Sequence, residues 1–364
     1  MTSAPTAPQT VRVNLAERSY DIAIGAGNLD SAGATLAALG KVSHAVIVTD
    51  DHVQRPHAMQ VAESLAERDI ETDVISIEPG EPSKSVDMAA GLWDGLLELG
   101  ADRQSVLVAV GGGVVGDLAG FIAATYARGI RFFQVPTTLL AQVDSSVGGK
   151  VGINLPTAKN MVGAFLQPLG VLIDTATLST LPEREYVSGL GEVVKYGVIL
   201  DAALFEQLEA DVAGLKQRKP EVLVPIIARC CRLKADVVEQ DEFERSGLRA
   251  SLNYGHTYGH AFEALCGYGE VLHGEAVAIG MMCAARLAER LGRVDVAFIS
   301  RQQRLQESLG LPVATPKLDA DKVLDTMSHD KKTAHGRLRF VLPDRLGHVE
   351  LVGDIRPEDV RAAL

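Results

Sequence analysis

Four side chains raise the first chemical question. The segments GLGEVVKYG (189–197), NYGHTYGHAFE (253–263) and LHGEAVAIGM (272–281) carry Glu192, His256, His260 and His273 on helical patterns. His256 and His260 stand at i and i+4, on one face of one helix. A carboxylate with two imidazoles is a divalent-metal donor set that leaves coordination positions for water or a substrate oxygen. Spacing leaves two pairings open. His256 with His260 forms the familiar His-x-x-x-His zinc pair, whereas His256 with His273 frees His260 for acid–base work.

A second constellation precedes these. The strand-like run SVLVAV (105–110) leads into GGGVVGDLAG (111–120), followed by helical spacing from Asp117. Strand, glycine turn and helix together present backbone N–H groups and a helix N-terminus to a phosphate. Asp50 follows the run AVIVT (45–49), where an acidic side chain can accept from a ribose hydroxyl. Glu81 and Lys84 in PGEPSKS follow the next strand. Together these read as a dinucleotide site, for NAD. A third, basic and polar set comprises Arg128, Lys150, Lys159, Asn160, Lys195, Lys234, Arg249, Lys331 and Lys332. Lys150 follows Gly148 and Gly149 in QVDSSVGGKVGINLP, a small and polar stretch that reads as a loop for close approach of a ligand.

Elements of matching type must position these groups. Strands at 45–49, 72–77, 105–110 and 131–135 alternate with helical patterns at 57–68 and 86–99, which means βαβ units and a parallel, doubly wound sheet. From about Leu181 the pattern turns helical, with helices at 187–200, 204–213, 222–240, 252–266, 274–291 and 300–309. Only 337–342 and 348–352 look extended there. The division falls near residue 180, after a frayed N-terminal tail of about ten residues.

Composition bounds the partners. The chain has 364 residues, 47% of them hydrophobic, and a net charge of −12. That is a globular balance and a surface that repels nucleic acid and anionic membrane, so any phosphate site is a local basic focus. The start MTSAPTAPQT lacks the features of a secretory signal, and no stretch approaches the ~20 apolar residues of a membrane span. Cys230, Cys231, Cys266 and Cys283 have no disulfide-like spacing, the adjacent Cys230 and Cys231 on a helical pattern read as buried thiols, and the compartment reads as reducing and cytoplasmic.

The motif series GGGVVGDLAGF, VPTTLLAQVDSSVGGKVGIN, GLGEVVKYG, NYGHTYGHAFE, LHGEAVAIGM and HDKK…RFVLP closely resembles the 3-dehydroquinate synthases of the shikimate pathway, in order, over about residues 40–345. The resemblance implies an α/β fold plus α: a Rossmann-like doubly wound NAD-binding domain over 1–180, and a mostly helical metal- and substrate-binding domain over 181–364. It implies a homodimer, NAD and a divalent metal, zinc or cobalt. It places the metal ligands on Glu192, His256 and His273, leaving His260 as a catalytic or phosphate-side group. It puts Asp144, Lys150, Asn160, Lys195, Lys234, Arg249, Asn253 and one of Lys331 and Lys332 in the substrate pocket, and Arg128 at the substrate phosphate across the dimer interface. The NAD set maps to Asp50, Glu81, Lys84, Gly113, Val114, Val115, Gly116, Asp117, Thr137, Thr138, Lys159, Thr177, Leu178, Ser179, Thr180 and Leu181, with Lys150 shared.

The implied reaction turns 3-deoxy-D-arabino-heptulosonate 7-phosphate into 3-dehydroquinate and phosphate. The implied steps are transient oxidation by NAD, β-elimination of phosphate, re-reduction, ring opening and intramolecular aldol closure. The segment DEFERSGLR (241–249) is one residue longer than the family's pattern, so no role passes to Glu244. Two alternatives share the motifs in part: a sister sugar-phosphate cyclase, and a metal-dependent polyol dehydrogenase, which would release NADH. A non-catalytic NAD-binding regulator would not need every metal and base position filled, as here.

Overall fold

The structure, a computed structural model, describes residues 7–267, 270–330 and 338–364. Its contacts divide the chain into two units. One comprises residues up to Leu181 together with Pro220–Phe243; the other comprises Pro182–Lys219 and Glu244–Leu364.

The first unit is built on seven strands. They are β1 (Gln9–Val13), β2 (Tyr20–Gly25), β3 (His44–Asp50), β4 (Glu71–Ile77), β5 (Val106–Gly111), β6 (Arg131–Pro136) and β9 (Gly170–Asp174), in the order β1-β2-β9-β6-β5-β3-β4. All neighbours run parallel except β1 with β2. Every residue of β5 and β9 is buried, as central parallel strands require. Alternate residues feed opposite faces. Val46, Val48, Leu107 and Ala109 pack with helices Val86–Glu98 and Gly113–Thr125, while Ala45, Ile47, Val106 and Val108 pack with Ala32–Ala38 and Met59–Ala66.

Three expectations need correction here. First, β1 begins at Gln9, inside the tail of about ten residues expected to fray, and β2 follows it in the sheet. Second, the stretch after Gly149 is an antiparallel hairpin, β7 (Lys150–Leu155) with β8 (Ala158–Phe165), and not a loop. Third, the helix Pro220–Gln240 belongs to the first unit, because its apolar face covers β1. Polar contacts tie it there: Glu239 accepts the Asn14 N–H at 2.9 Å, and the Cys231 thiol donates to the Gln142 carbonyl at 3.2 Å. At the end of β9, Asp174 is buried and accepts the backbone N–H groups of Gly27, Asn28, Leu29 and Ala176 at 2.7–3.0 Å, locking the turn after β2 to the sheet.

The second unit is helical: Glu183–Ile199, Ala202–Ala210, Val212–Lys216, His256–Cys266, His273–Arg290, Val296–Leu309, Ala320–Asp330 and Pro357–Ala362, with the hairpin β10 (Phe340–Arg345) and β11 (His348–Val352). The helix expected over 252–266 starts only at His256, after a 3-10 turn Leu248–Asn253. Two glycines decide its central packing. A Cβ on Gly274 would lie 1.8 Å from the Ser188 carbonyl, so only glycine lets helix His273–Arg290 lie against Glu183–Ile199. Gly255 takes a left-handed φ of +82°, turning the chain into helix His256–Cys266.

Candidate active site

In the first unit the residues read as nucleotide-binding gather at the carboxyl ends of the parallel strands, the place where open α/β sheets hold ligands. Asp50 ends β3, Glu81 and Lys84 follow β4, the glycine turn follows β5, Thr137 and Thr138 follow β6, and Thr177–Leu181 follow β9. The turn is built for approach: Gly113, Val114, Val115, Gly116 and Asp117 form the opening of helix Gly113–Thr125. A Cβ on Gly112 would meet Thr138 Cγ2 at 2.9 Å. Thr137 is buried, and its hydroxyl has no hydrogen-bond partner among the described residues. Asp50 Oδ1 accepts the backbone N–H of His52 and Val53 at 2.9 and 3.0 Å, so the carboxylate is oriented by its own turn. These features fit a dinucleotide.

Lys84 joins this cradle to the hairpin. It is 3% exposed, and its Nζ donates to Asp117 Oδ2 at 2.7 Å and Asn160 Oδ1 at 2.6 Å, with Glu81 Oε1 at 3.7 Å. Burial raises the Asp117 carboxyl above its ordinary range, and the Lys84 charge opposes that shift. Asn154 closes the network, donating to Glu81 Oε1 at 2.8 Å and accepting the Asn160 N–H at 2.9 Å. Asn160 needs this support, since its φ is +54°. Lys150 starts β7 exposed, and Lys159 is half-buried on β8. Lys234, buried on helix Pro220–Gln240, donates to the Asp144 carbonyl at 2.7 Å and pairs with its carboxylate at 2.9 Å. Arg128 is exposed in a left-handed turn, with φ +70°.

In the second unit, Glu192, His256 and His273 offer ligand atoms that lie within 4.8 Å of one another. Glu192 is fully buried, with the buried Lys195 ammonium against its Oε2. Each imidazole turns Nε2 toward Glu192 Oε1, at 3.6 Å in both cases. The His256 Nδ1–H is directed at the Tyr254 carbonyl, 3.2 Å away. Burial, then the Lys195 charge, lowers the His256 pKa well below 6.5, giving the neutral, ligating form. For His273 burial opposes protonation, but hydrogen bonds and charge from Glu192 and Glu263 outweigh it and raise the pKa to about 10. Two carboxylates around that ring make a position suited to a cation, and a divalent metal competes with the proton there. The donor set therefore fits zinc, cobalt or iron. Of the two pairings left open by spacing, the donor atoms group His256 with Glu192 and His273, although the His256 ring lies 5.2 Å from that of His273 and 5.4 Å from that of His260.

His260 is exposed and falls in a different group, with Glu263 and His273. Arg249 is buried and Asn253 exposed, in the turn before helix His256–Cys266. Lys331 and Lys332 lie outside the described residues. Sequence reasoning missed Asn154, Glu263 and His57. His57 Nε2 lies 2.7 Å from Thr180 Oγ1, and burial lowers its pKa against the opposing charge of Asp174. Thr180 Oγ1 donates to the Thr177 carbonyl at 2.9 Å and so accepts from His57, bracing the turn after β9.

Comparison with known proteins agrees over the whole chain. Residues 74–188 match the family described as 3-dehydroquinate synthase N-terminal, and 189–333 match 3-dehydroquinate synthase C-terminal. The chain is 52% identical over 362 residues to the 3-dehydroquinate synthase of Rhodopirellula baltica, covering 98% of this chain and 96% of that one. Among solved structures it resembles 2-deoxy-scyllo-inosose synthase complexed with carbaglucose-6-phosphate, NAD+ and Co2+ (30% identity, TM-score 0.89, 97% of this chain and 98% of that one). It also resembles 2-epi-5-epi-valiolone synthase from Streptomyces hygroscopicus subsp. jinggangensis with NAD+ and Zn2+ bound (29% identity, TM-score 0.88, 96% of this chain and 97% of that one).

Proposed function

The chain belongs to the 3-dehydroquinate synthase family, and from that premise we propose how its residues divide the work of converting 3-deoxy-D-arabino-heptulosonate 7-phosphate into 3-dehydroquinate and phosphate. The observation that carries the reading is the Glu192–His256–His273 group, a divalent-metal donor set beside a buried lysine in a chain that also has a dinucleotide cradle. NAD and a divalent metal, bound in relatives of this fold, supply a recyclable hydride acceptor and a Lewis acid.

Glu192, His256 and His273 hold the metal. The first turn of helix Gly113–Thr125 takes the pyrophosphate, with its N–H groups and dipole aimed at the anion. Asp50 takes the ribose, and the braced Thr177, Leu178, Ser179, Thr180 and Leu181 segment forms a further wall, with Thr137, Thr138 and Lys159. Lys84 and Glu81 hold Asp117 and Asn160 in register, so cofactor and substrate contacts are set by one network. Lys150, Lys195, Lys234 and Arg249 neutralise the substrate's carboxylate, phosphate and developing oxyanions, in a chain whose net charge is −12. Asp144, paired with Lys234, and Asn253 orient hydroxyls. His260, exposed and outside the metal group, exchanges a proton with the phosphate side. Lys331 adds a further cation.

The enzyme works in the cytoplasm as a homodimer. Among the described residues the four cysteines form no disulfide, in keeping with a reducing compartment, and no helix is long and apolar enough to cross a membrane. Arg128, exposed on its left-handed turn, reaches the partner's substrate phosphate. Arg128→Ala should therefore raise KM about ten- to a hundredfold, the loss of one charge-assisted contact, and leave NAD affinity intact. An unchanged KM returns this arginine to the ordinary surface.

One assay tests the function as a whole. Phosphate release from the heptulosonate phosphate should proceed for many turnovers on substoichiometric NAD, stop on chelation and return with added zinc or cobalt. NADH should not accumulate. Stoichiometric NADH would move the assignment to a dehydrogenase.

A further inference from the structure

Helix His256–Cys266 carries His256, His260 and Glu263 at i, i+4 and i+7, the stripe that a packed helix ordinarily gives to apolar side chains. Glu263, only 9% exposed, is the buried end of that stripe. A carboxylate in such a place needs a polar partner. Its Oε2 lies 3.3 Å from His273 Nδ1.

We propose that Glu263 is a positioning residue for the metal centre: it accepts the Nδ1–H of His273 and so fixes the tautomer and ring plane that present Nε2 to the metal. The inference rests on the Glu192–His256–His273 reading given above. His256 supplies the internal comparison. Its Nδ1–H is directed at the Tyr254 carbonyl at 3.2 Å, and its Nε2 stands 3.6 Å from Glu192 Oε1, the same distance as His273 Nε2. Both imidazoles are thus held from behind at Nδ1 and point Nε2 at one carboxylate oxygen. One is held by backbone, which substitution cannot remove. The other is held by a side chain, which it can. His273 needs the support more, because its side chain is 33% exposed against 12% for His256. A ring with freedom to turn pays orientational entropy each time it ligates, and an acceptor at Nδ1 also raises the basicity of Nε2.

Glu263 and His260 also form a donor group with His273. A second ion there would need His273 Nδ1 itself as a ligand, in place of the hydrogen bond. The two roles for Glu263 exclude each other at that nitrogen, so metal stoichiometry separates them.

The experiment is zinc and cobalt binding to the full-length Glu263→Ala and Glu263→Gln proteins, by competition with a chromophoric chelator. Metal content, the visible spectrum of the cobalt form and circular dichroism are read in parallel. Glu263→Ala should weaken metal binding about ten- to a hundredfold while still taking up one equivalent at saturation. Glu263→Gln retains a carbonyl oxygen to accept the Nδ1–H, so its loss should be smaller, and its cobalt spectrum should stay near that of the parent. The glutamine variant keeps the side-chain volume, so the comparison holds if the alanine variant folds poorly. Parental affinity and spectrum in a folded Glu263→Ala protein would overturn the proposal. So would two equivalents bound by the parent with one lost in Glu263→Ala, which makes Glu263 a ligand of a second ion. His256→Ala, measured alongside, reports on the ligand set itself. Metal retained there refutes that set, whereas metal lost there with parental affinity in Glu263→Ala refutes only the role of Glu263.

Discussion

Purified His256→Ala and His273→Ala proteins should contain no tightly bound metal and show no turnover, while His260→Ala keeps its metal and slows by about 10²–10⁴-fold, the usual loss of an acid–base group. His256 and His260 are chemically alike and one helical turn apart, so the contrast comes from position alone. Removing either His256 or His273 leaves two donors from the group that lies within 4.8 Å, too few for the closed side of a catalytic metal site. His260 is exposed and falls outside that group, in one with Glu263 and His273. Metal analysis of the three proteins needs no kinetic model. If His260→Ala loses the metal and His273→Ala keeps it, the ligands are instead the i, i+4 pair, and His273 merely begins its helix.

That contrast marks where sequence reading reaches its limit. The i, i+4 spacing of His256 and His260 is visible in the chain, but the relation of either to His273 depends on how two helices pack. That packing is set by Gly274, whose missing Cβ lets the Ser188 carbonyl approach and brings Glu192 to the imidazoles. The glycines of GLGE and HGE were legible as residues; their consequence was not. The parallel strands were readable because double-sided burial leaves uninterrupted apolar runs such as VLVAVG. β1 was not, since an edge strand with the burial pattern of QTVRV has only two inward residues to signal it. β8 alternates partly exposed and exposed positions around glycine, which reads as loop until its partner is known. The placement of helix Pro220–Gln240 was hidden for a different reason. Periodicity tells which face of a helix is buried, not which sheet covers it. Glu263 ends the motif NYGHTYGHAFE, and its i+7 spacing from His256 is the signal that points to it.

Lys84→Met should lower stability by about 3–5 kcal/mol, the range for breaking a buried ion pair by removing one partner, and should abolish NAD binding at concentrations that saturate the parent. Lys84 is 3% exposed and is the cation within 2.7 Å of Asp117, 2.6 Å of the Asn160 amide oxygen and 3.7 Å of Glu81. Methionine keeps most of the packed volume, so the loss is electrostatic and not a cavity. Without the ammonium, Asp117 loses its hydrogen-bonded cation, Glu81 keeps the Asn154 amide donor, and the Asn160 side-chain oxygen loses the Lys84 donor. The pH dependence has a definite sign. Burial already raises the Asp117 pKa above its unfolded value, and Lys84 is the main force opposing that rise. A carboxyl whose folded pKa is raised binds its proton more tightly in the folded state. Its penalty is therefore absent in acid and grows as pH climbs from the unfolded value through the folded one. Urea unfolding of Lys84→Met should show a smaller deficit at about pH 5 than at about pH 8. Asp117→Asn in the same protein removes the unpaired charge and should recover much of the lost stability, a coupling that a double-mutant cycle reads directly. It should not recover NAD binding, because the cradle still lacks both members of the pair that orders it. A deficit equal at both pH values and untouched by Asp117→Asn would mean that Lys84 acts through its aliphatic stem, and that the network through Asn160 and Asn154 holds without it.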